Sequence, residues 1–489
     1  MKEDWVECRL GDVINIVSGK NQSNVTNPNG KYPIYGSGGI IGRADDYLCE
    51  EYTTIIGRKG TINSPIFVKE KFWNVDTAFG LSSYDILNKK ILYFFCIYFD
   101  FKKIDKSTTI PSLSKHDILL INFPLPPLPI QRAIVSKIET LFTSLDKGIA
   151  DLKTAQEQLK IYRQAVLKKA FEGELTRKWR EDIALNGNKL PTADELLEEI
   201  KLERKTYYEN QLKEWEADIK KWEKNGKKGS KPGKPKRPLE FSSLLKSEVD
   251  GLMKLPNGWK WEKLGNICKK IMDGTHFSPK SYPTGKYKYI TAKNIKEGRI
   301  DLKDISYLSE EDHREIYSKC DVKKDDVLYI KDGATTGRAT VNKLVEEFSL
   351  LSSVCVFRTY QNITNSKFLE YFLNAEINRN KMLSNIAGVA ITRLTLIKLN
   401  NSFFSLPSLP EQNQIVLEIE KRLSVCDKLE ESISESLEKA KALRQSILKK
   451  AFDGTLLTPN EVEACKKEKD YEPASELLKK IKLEKENIV

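Results

Sequence analysis

The chain contains the heptapeptide LKKAFEG at Leu167–Gly173 and a near copy, LKKAFDG, at Leu448–Gly454. The two copies lie 281 residues apart (448 − 167 = 281), and the same offset aligns residues 108–205 with residues 389–486 without a gap. Solenoid repeats have units of about 20 to 50 residues, so a repeat of this length indicates a duplication of a larger unit. The chain is therefore organised around two copies of one block.

Each copy of the block has the pattern of a long helix. Apolar residues recur at steps of three and four, which predicts one apolar stripe along each helix. A proline, Pro129 or Pro410, suits the first helical turn, and a glycine, Gly173 or Gly454, suits the end. Because a long helix with one apolar stripe needs a partner, we predict that the two pair antiparallel as a spine. The residues selected for the spine are Leu145, Leu152, Leu167, Phe171, Leu429, Leu437, Leu448 and Phe452, and the stripes also contain Tyr162 and Leu443.

Composition restricts the class of protein. The 489 residues are 40% hydrophobic and 31% charged, which predicts a soluble chain with more than one packed core. No signal peptide or apolar run of transmembrane length is visible, so we expect a cytoplasmic protein without membrane contact. The eight cysteines show no paired spacing and the chain has three histidines, which favours reduced structural thiols and no metal site.

The net charge of +12 is concentrated in one segment. Residues 220–237 contain nine Lys or Arg against the single acid Glu223, together with several Gly and Pro. Such a composition cannot bury a core and predicts a flexible basic linker. Non-specific contact with DNA phosphates and a solvated hinge are both compatible with this segment, so charge alone does not decide the function.

The segments between the helices also repeat. The spacing WxxxxLG occurs at Trp5 and at Trp259, an offset of 254, so the second globular segment carries 27 extra residues (281 − 254 = 27). Short apolar runs at 52–56, 64–68 and 78–82 alternate with Gly, Asn and Thr, which predicts short strands joined by loops. The two globular segments are similar at their ends and differ in their middle parts. This is expected if the two share one scaffold with different recognition surfaces, and equally if a duplicated segment diverged without a functional reason.

Two glycine turns carry basic and hydroxyl side chains, IIGRKGTIN at Ile55–Asn63 and IKDGATTGR at Ile330–Arg338. Such turns bring donors and backbone close to a ligand such as DNA, although plain hairpins have the same composition. The stretch YGSGGIIG at Tyr35–Gly42 is not a dinucleotide fingerprint, because Ile41 occupies a required glycine position.

The order of these segments resembles the specificity subunits of type I restriction-modification systems. The resemblance rests on the duplicated helix endings, the lead LPPLPIQ before the first helix, the WxxxxLG openings and the stretches YPIYGSGGIIG, FWNVDTAFGL and KDGATTGR. The basic linker at residues 222–238 departs from the family pattern. The resemblance implies an α+β fold. Two mixed α/β target-recognition domains would be separated by two long helices, which form an antiparallel coiled coil with a pseudo-two-fold internal repeat.

The resemblance implies a non-catalytic subunit that recognises double-stranded DNA. Each domain would recognise one half of a bipartite asymmetric site, while the helices set the spacing and bind two methyltransferase subunits; restriction subunits are further partners in that family. No cofactor is expected in this chain, and S-adenosylmethionine, ATP and Mg would belong to partner subunits. The expected boundaries are 1–126 and 256–407 for the recognition domains, 127–175 and 408–456 for the spine helices, 176–255 for a helical segment with the basic linker, and 457–489 for a helical tail.

Polar residues in predicted loops are the candidate DNA contacts. They are Lys20, Gln22, Arg58, Lys59, Thr61 and Thr109 in the first domain, and His276, Lys293, Asn294, Lys331, Thr336 and Arg338 in the second.

Two alternative functions remain at this point. A chain with its own methyltransferase or nuclease activity would need a cofactor site, but neither GxxxxGK[ST] nor an NPPY-type motif is found, since Asn27-Pro28-Asn29 matches only in part. A coiled-coil scaffold without a DNA role would leave the two diverged globular segments unexplained.

Overall fold

The computed structural model describes residues 3–84, 87–384 and 393–488, so the start of the second repeat copy, residues 389–392, lies outside the described residues. The chain divides into two compact units: unit 1 combines residues 1–155 with 431–489, and unit 2 comprises residues 156–430. Each unit contains one mixed α/β domain, the beginning of one long helix and the end of the other.

Domain 1, in unit 1, is built on antiparallel strands that cover a helix. Its central sheet has the order β2-β8-β5-β6, and a second sheet, β4-β3-β7, contains one parallel pair, β3 with β7. A separate pair, β1 with β9, joins the two ends of the domain. The elements are β1 Val6–Arg9, α1 Leu10–Val13, β2 Ile14–Ser18, β3 Tyr32–Gly36, β4 Gly39–Ala44, β5 Thr53–Gly57, β6 Ile66–Val68, β7 Trp73–Asn74, β8 Ala78–Ser83, α2 Lys89–Tyr98, α3 Lys115–Leu119 and β9 Asn122–Leu125, with a 3-10 turn at Phe101–Ile104.

The first long helix follows domain 1 directly. This helix, α4, spans the 44 residues Leu128–Phe171. Its C-terminal Gly173 has φ +72, and the N–H of Glu174 donates to the carbonyl of Lys169, which confirms the predicted glycine stop. The elements after it are α5 Arg177–Leu185, α6 Ala193–Lys224 and α7 Lys246–Val249.

Domain 2, in unit 2, repeats the topology of domain 1. Its central sheet β11-β19-β16-β17 and its second sheet β15-β12-β18 have the same orders, including the parallel pair β12 with β18. Most of the additional residues lie between β12 and β16. The elements are β10 Lys260–Lys263, α8 Leu264–Ile267, β11 Cys268–Asp273, β12 Tyr287–Ile290, β13 Ile295–Lys296, β14 Arg299–Ile300, β15 Ser306–Leu308, α9 Glu310–Lys319, β16 Val327–Ile330, β17 Ala339–Val341, β18 Phe348–Leu350, β19 Val354–Thr359, α10 Ser366–Asn374, α11 Glu376–Ser384, α12 Leu396–Asn400 and β20 Phe403–Leu406, with a 3-10 turn at Ala292–Asn294.

The second long helix, α13, spans Leu409–Phe452 and has the same length as α4. Two shorter helices follow it, α14 Pro459–Lys466 and α15 Ala474–Ile488. Among the described residues, no helix combines the length and apolar character that crossing a membrane requires.

Within each unit the two long helices run antiparallel. In unit 2 the guanidinium of Arg163 on α4 lies 2.6 Å from a carboxylate oxygen of Asp427 on α13. In unit 1 Arg444 on α13 pairs with Asp146 on α4, and its guanidinium lies 4.5 Å from the centre of the Phe142 ring. Both members of one ion pair lie 281 residues from their counterparts in the other, so the predicted two-fold repeat is present in side-chain contacts.

The repeated helix ends are buried in the domain cores. Phe171 packs against Phe368 and Phe372 of domain 2, with ring centroids 5.4 and 5.3 Å apart. Phe452 packs in the same way against Phe95 and Tyr98 of domain 1, each at 5.3 Å. The heptapeptide LKKAF[ED]G is thus an anchor that fixes one helix end in one domain.

A buried glutamine fixes the beginning of each long helix. The Oε1 atom of Gln131 accepts a hydrogen bond from the N–H of Asn88, the N-cap of α2, at 2.8 Å, and its Nε2 donates to the carbonyl of Pro126 at 2.8 Å. Gln412 makes the equivalent bonds to the N–H of Asn365 and the carbonyl of Pro407, both at 2.9 Å. Both glutamines are fully buried, so each domain is attached to its helix at a defined angle.

The predicted apolar stripe is wider than the seam that the helices cover. Leu145, Leu152 and Leu437 are half-buried. By contrast, Leu429, Tyr162 and Leu443 are 48%, 47% and 50% exposed, so the partner helix does not cover these three members of the predicted stripe. In a pair of helices, only the residues along the narrow line of contact are shielded from solvent. Apolar residues spaced three and four apart also include positions that flank this line and stay exposed.

The segment after α6 has no regular secondary structure up to residue 245, as its composition predicts, but it contacts α6. It turns back along α6: the indole Nε1 of Trp222 donates to the carbonyl of Gly229 at 3.1 Å, and that of Trp215 donates to the carbonyl of Pro232 at 3.0 Å. Two aromatic residues of the helix therefore hold the backbone of a segment that has no core of its own.

All eight cysteines are buried free thiols, in agreement with the sequence-based prediction. Burial raises the pKa of the thiols of Cys8 and Cys49 to about 12. These side chains act as small apolar groups in the cores.

Candidate nucleic-acid interface

The glycine turn of domain 1 is held by backbone bonds on two sides. It follows the end of β5, where the N–H of Arg58 donates to the carbonyl of Thr77 at 2.8 Å. The N–H of Leu113 donates to the carbonyl of Arg58 at 2.8 Å, and that of Gly60, which has φ +79, donates to the carbonyl of Pro111 at 2.9 Å. The turn therefore has a fixed backbone.

The loop after β2 lies beside this turn. The N–H of Lys20 donates to the carbonyl of Asn74 at 3.0 Å, and the indole of Trp73 donates to the carbonyl of Lys20 at 3.1 Å. A Cβ on Gly19 would lie 1.8 Å from the carbonyl oxygen of Val75, so only glycine permits this approach. Residues 74–78 thus bring the loop and the turn to one edge of domain 1, called here the turn edge.

The six candidate contacts of domain 1 differ in exposure. Arg58 is half-buried because its guanidinium donates to the carbonyl of Asp76 at 3.3 Å and lies 5.8 Å from the centre of the Phe79 ring. Gln22 is also half-buried. The exposed members are Lys20, Lys59, Thr61 and Thr109.

Domain 2 has the same turn edge, made by equivalent bonds. The N–H of Lys331 donates to the carbonyl of Ser353 at 2.9 Å, and its own carbonyl accepts from the N–H of Leu394 at 2.9 Å. The N–H of Thr275 donates to the carbonyl of Leu350 at 2.8 Å. A Cβ on Gly274 would lie 2.1 Å from that carbonyl oxygen, so the close approach at Gly19 also recurs.

The side chains at the second turn edge form a charge network that is not present among the described residues of the first turn edge. The side chain of Lys331 is 2% exposed, and its ammonium lies 2.9 Å from a carboxylate oxygen of Asp332 and 3.3 Å from one of Asp273. The Nε2 atom of His276 lies 3.3 Å from the same oxygen of Asp273. Lys331 therefore joins the loop after β11 to the glycine turn and does not present its charge to solvent.

Two further candidates of domain 2 use their polar groups internally. Asn294 is 2% exposed; its Oδ1 accepts from the N–H of Thr291 at 3.1 Å and its Nδ2 donates to the carbonyl of Asp301 at 3.1 Å. Thr336 is 9% exposed, and its hydroxyl donates to the carbonyl of Gly333 at 2.6 Å. The candidates that remain accessible are His276, Lys293 and the half-buried Arg338.

Arg393 lies at the second turn edge but was not selected from the sequence. A single backbone bridge joins Asp332 to Arg393, just as one joins Lys59 to Ser112 in domain 1. The Arg393 side chain is 62% exposed, and its Nε lies 3.6 Å from a carboxylate oxygen of Asp332. The offset of 281 aligns Ser112 with Arg393, so the internal repeat alone could have identified Arg393 as a residue of the turn edge.

His313, on α9 of domain 2, has a structural role. Its ring stacks on the ring of Tyr287 with the centroids 4.0 Å apart, and burial lowers the pKa of the imidazole.

The spine residues fall into two groups. Leu167, Phe171, Leu448 and Phe452 are buried in the domain cores and do not form a surface. In unit 2 large apolar side chains are exposed on both long helices: Ile161 and Tyr162 on α4, and Leu417, Val425 and Leu429 on α13. Spacings of eight and four residues place the last three on one side of α13.

Among the residues that the structure describes, no group of three or more His, Cys, Asp or Glu side chains could hold a metal ion.

A comparison with family models matches residues 2–154 and 256–439 to the type I restriction modification DNA specificity domain. The chain belongs to this family. Each matched region of the specificity protein contains one complete turn edge and the first half or more of one long helix.

Curated relatives agree with this assignment. The specificity subunit of the type I restriction enzyme EcoDI from Escherichia coli is 24% identical over 493 residues, which cover 99% of this chain and 95% of the relative. The corresponding EcoBI subunit, also from Escherichia coli, is 25% identical over 379 residues, covering 78% of this chain and 68% of the relative.

Solved structures share the fold of this specificity protein. A chain from a study of complex assembly and conformational transition in a type I restriction-modification system has a TM-score of 0.62 at 18% identity, covering 92% of this chain and 98% of that one. The HsdS subunit from Thermoanaerobacter tengcongensis has a TM-score of 0.50 at 17% identity, covering 93% and 98%.

Proposed function

We propose that this chain is the DNA-recognition subunit of a type I restriction-modification complex, in which each domain recognises one half of a bipartite, asymmetric site. The observation that carries the proposal is the repeated turn edge. The two edges have equivalent backbone bonds but different side chains, Arg58-Lys59 in one and Lys331-Asp332 in the other. The same backbone arrangement with different side-chain donors and acceptors would let the two domains recognise different base sequences, as two different half-sites require.

The accessible polar side chains of the two edges are the proposed DNA contacts. Cationic and hydroxyl groups can contact phosphates and the edges of bases in the major groove. In domain 2, Lys331 and Thr336 are assigned to holding the turn edge in shape, and Asn294 to holding the loop between Thr291 and Asp301. The proposed contacts are Lys20, Gln22, Arg58, Lys59, Thr61 and Thr109 in domain 1, and His276, Lys293, Arg338 and Arg393 in domain 2.

The chain itself is proposed to be non-catalytic. Adenine methylation would be carried out by two methyltransferase subunits, and restriction subunits would add ATP-dependent cleavage; S-adenosylmethionine, ATP and Mg would be bound by those partners. The exposed apolar side chains of the spine helices, among them Tyr162, Val425 and Leu429, support docking there, because contiguous exposed apolar groups mark protein interfaces.

A paired substitution at the first turn edge tests the function. Changing Arg58 and Lys59 to glutamine is expected to lower methylation of the site about tenfold or more, since a base contact contributes about 1–3 kcal/mol. Lys69→Gln is the matched control, because Lys69 is exposed and follows β6 at the opposite end of the β5-β6 hairpin from Arg58. The measurement is the methylation rate of each variant in complex with its methyltransferase subunits. Equal rates for the double variant and the control would contradict the proposal.

A further inference from the structure

Helix α6 continues beyond the part that packs on domain 2. Its first turns repeat the packing of α15, since Ala193, Leu196 and Ile200 are buried as Ala474, Leu477 and Ile481 are. The repeat also includes a polar contact: Arg204 donates to the carbonyl of Gly265 at 2.7 Å, and Lys485 donates to the carbonyl of Gly11 at 2.9 Å. No residue of α6 after Arg204 is buried, so the extension 205–224 is not needed for the domain core.

The basic segment is attached to this extension by its backbone. Besides the bonds of Trp222 and Trp215 to the carbonyls of Gly229 and Pro232, the guanidinium of Arg204 donates to the carbonyl of Leu239 at 3.4 Å. These three hydrogen bonds hold the returning chain along the helix. These bonds use only carbonyl oxygens of the segment. Two of its cations, Lys227 and Lys234, also lie over the rings of Trp222 and Trp215, with the ammonium 6.0 and 5.7 Å from the ring centre.

The charge of the segment is not compensated. Residues 225–238 contain six cations and no acid, and all six side chains are exposed. Within the described part of the chain, no ion pair joins any of the six to a carboxylate. Four of them occur at every third position, and an extended chain that rises about 3.1 Å per residue separates such positions by about 9 Å. The six cations are Lys227, Lys228, Lys231, Lys234, Lys236 and Arg237.

We propose that residues 205–238, the basic arm, bind the phosphate backbone of duplex DNA without sequence preference. A row of cations without carboxylate partners, on a backbone that is already attached to a helix, loses less conformational entropy on binding than a free tail does. Neutralising phosphates also releases condensed counterions, which favours a regular row of charges over isolated ones. The inference rests on the proposed function in one respect, namely that DNA is the ligand of this chain, but it assigns to the arm a second contact that the turn edges do not provide.

The test compares a charge-removing variant with a charge-conserving one. The first variant changes the five lysines and Arg237 to glutamine, and the second changes the lysines to arginine and Arg237 to lysine. The full chain, in complex with its methyltransferase subunits, is titrated with two duplexes, one that contains the methylated site and one that does not, over a range of salt concentrations. Methylation-site sequencing reports which site each variant recognises.

The expected result is an equal loss of affinity for both duplexes in the glutamine variant, about tenfold or more at low salt, with the recognised site unchanged. The dependence of log K on log salt should become shallower by about 0.9 for each phosphate that the arm no longer neutralises, and the charge-conserving variant should retain the original slope. An unchanged slope in the glutamine variant would overturn the proposal, and loss of methyltransferase subunits with an unchanged slope would show that the arm binds protein. Failure of the proposed function is distinguishable, because the unsubstituted complex would then show no preference between the two duplexes.

Discussion

Replacing Phe171 or Phe452 with alanine is expected to lower the free energy of unfolding of one domain by about 3–5 kcal/mol, the usual cost of truncating a fully buried phenylalanine. Phe171 is fully buried between aromatic rings of α10, and Phe452 is 3% exposed against rings of α2. Each cavity would open where a long helix is anchored. Hydrogen exchange measured by mass spectrometry should therefore show reduced protection in domain 2 for F171A and in domain 1 for F452A.

The matched control is Ile161→Ala, on the same helix as Phe171. Ile161 is 70% exposed, so its truncation should change the free energy of unfolding by no more than about 0.5 kcal/mol. If F171A and F452A each lowered protection equally in both domains, or in neither, the assignment of each helix end to one domain would be refuted.

Lengthening both spine helices by four residues is expected to lengthen the gap between the two half-sites by one or two base pairs. The insertions follow Thr154 and Glu435, which are equivalent positions of the repeat. Four residues add about 6 Å of helix and rotate the apolar seam by only about 40°. Methylation-site sequencing of the variant complex should show both half-sites unchanged and only their spacing altered.

Two-residue insertions at the same positions are the control. They rotate the seam by about 200°, which places charged side chains where Leu145 and Leu437 pack and separates ion pairs such as Asp146 with Arg444. Complexes with these insertions should fail to assemble or to methylate DNA. A stable four-residue variant with an unchanged gap would show that the helices do not set the spacing.

The helical frame was predictable because its signals are local and occur twice. Pro129 and Gly173 mark the ends of α4 by backbone chemistry that does not depend on tertiary contacts, and the offset of 281 transfers every conclusion to α13. The role of Gln131 was not predictable from spacing alone, because it depends on Asn88 at the start of α2. The exposure of Leu429 was missed because periodicity does not show how wide a stripe the partner helix covers.

The candidate site was predictable at the level of loops but not of side chains. The sequence located both glycine turns, but it did not distinguish Lys59, which is exposed, from Lys331, which is buried between two carboxylates. That difference depends on Asp273, 58 residues away along the chain and adjacent only through the pairing of strands (331 − 273 = 58). The attachment of the basic segment was not predictable for the same reason, since it depends on Trp215 and Trp222.

Exchanging one domain shows whether each domain recognises one half of the DNA site. Residues 5–126 would be replaced by the corresponding domain of another member of the family, with the junction placed before α4 so that both long helices keep their own sequence. The methylated sites of the original and exchanged complexes would then be determined by sequencing. We expect a bipartite site in both complexes, with one half changed and the other half and the gap unchanged. Changes in both halves, or a single continuous site in the original complex, would contradict it.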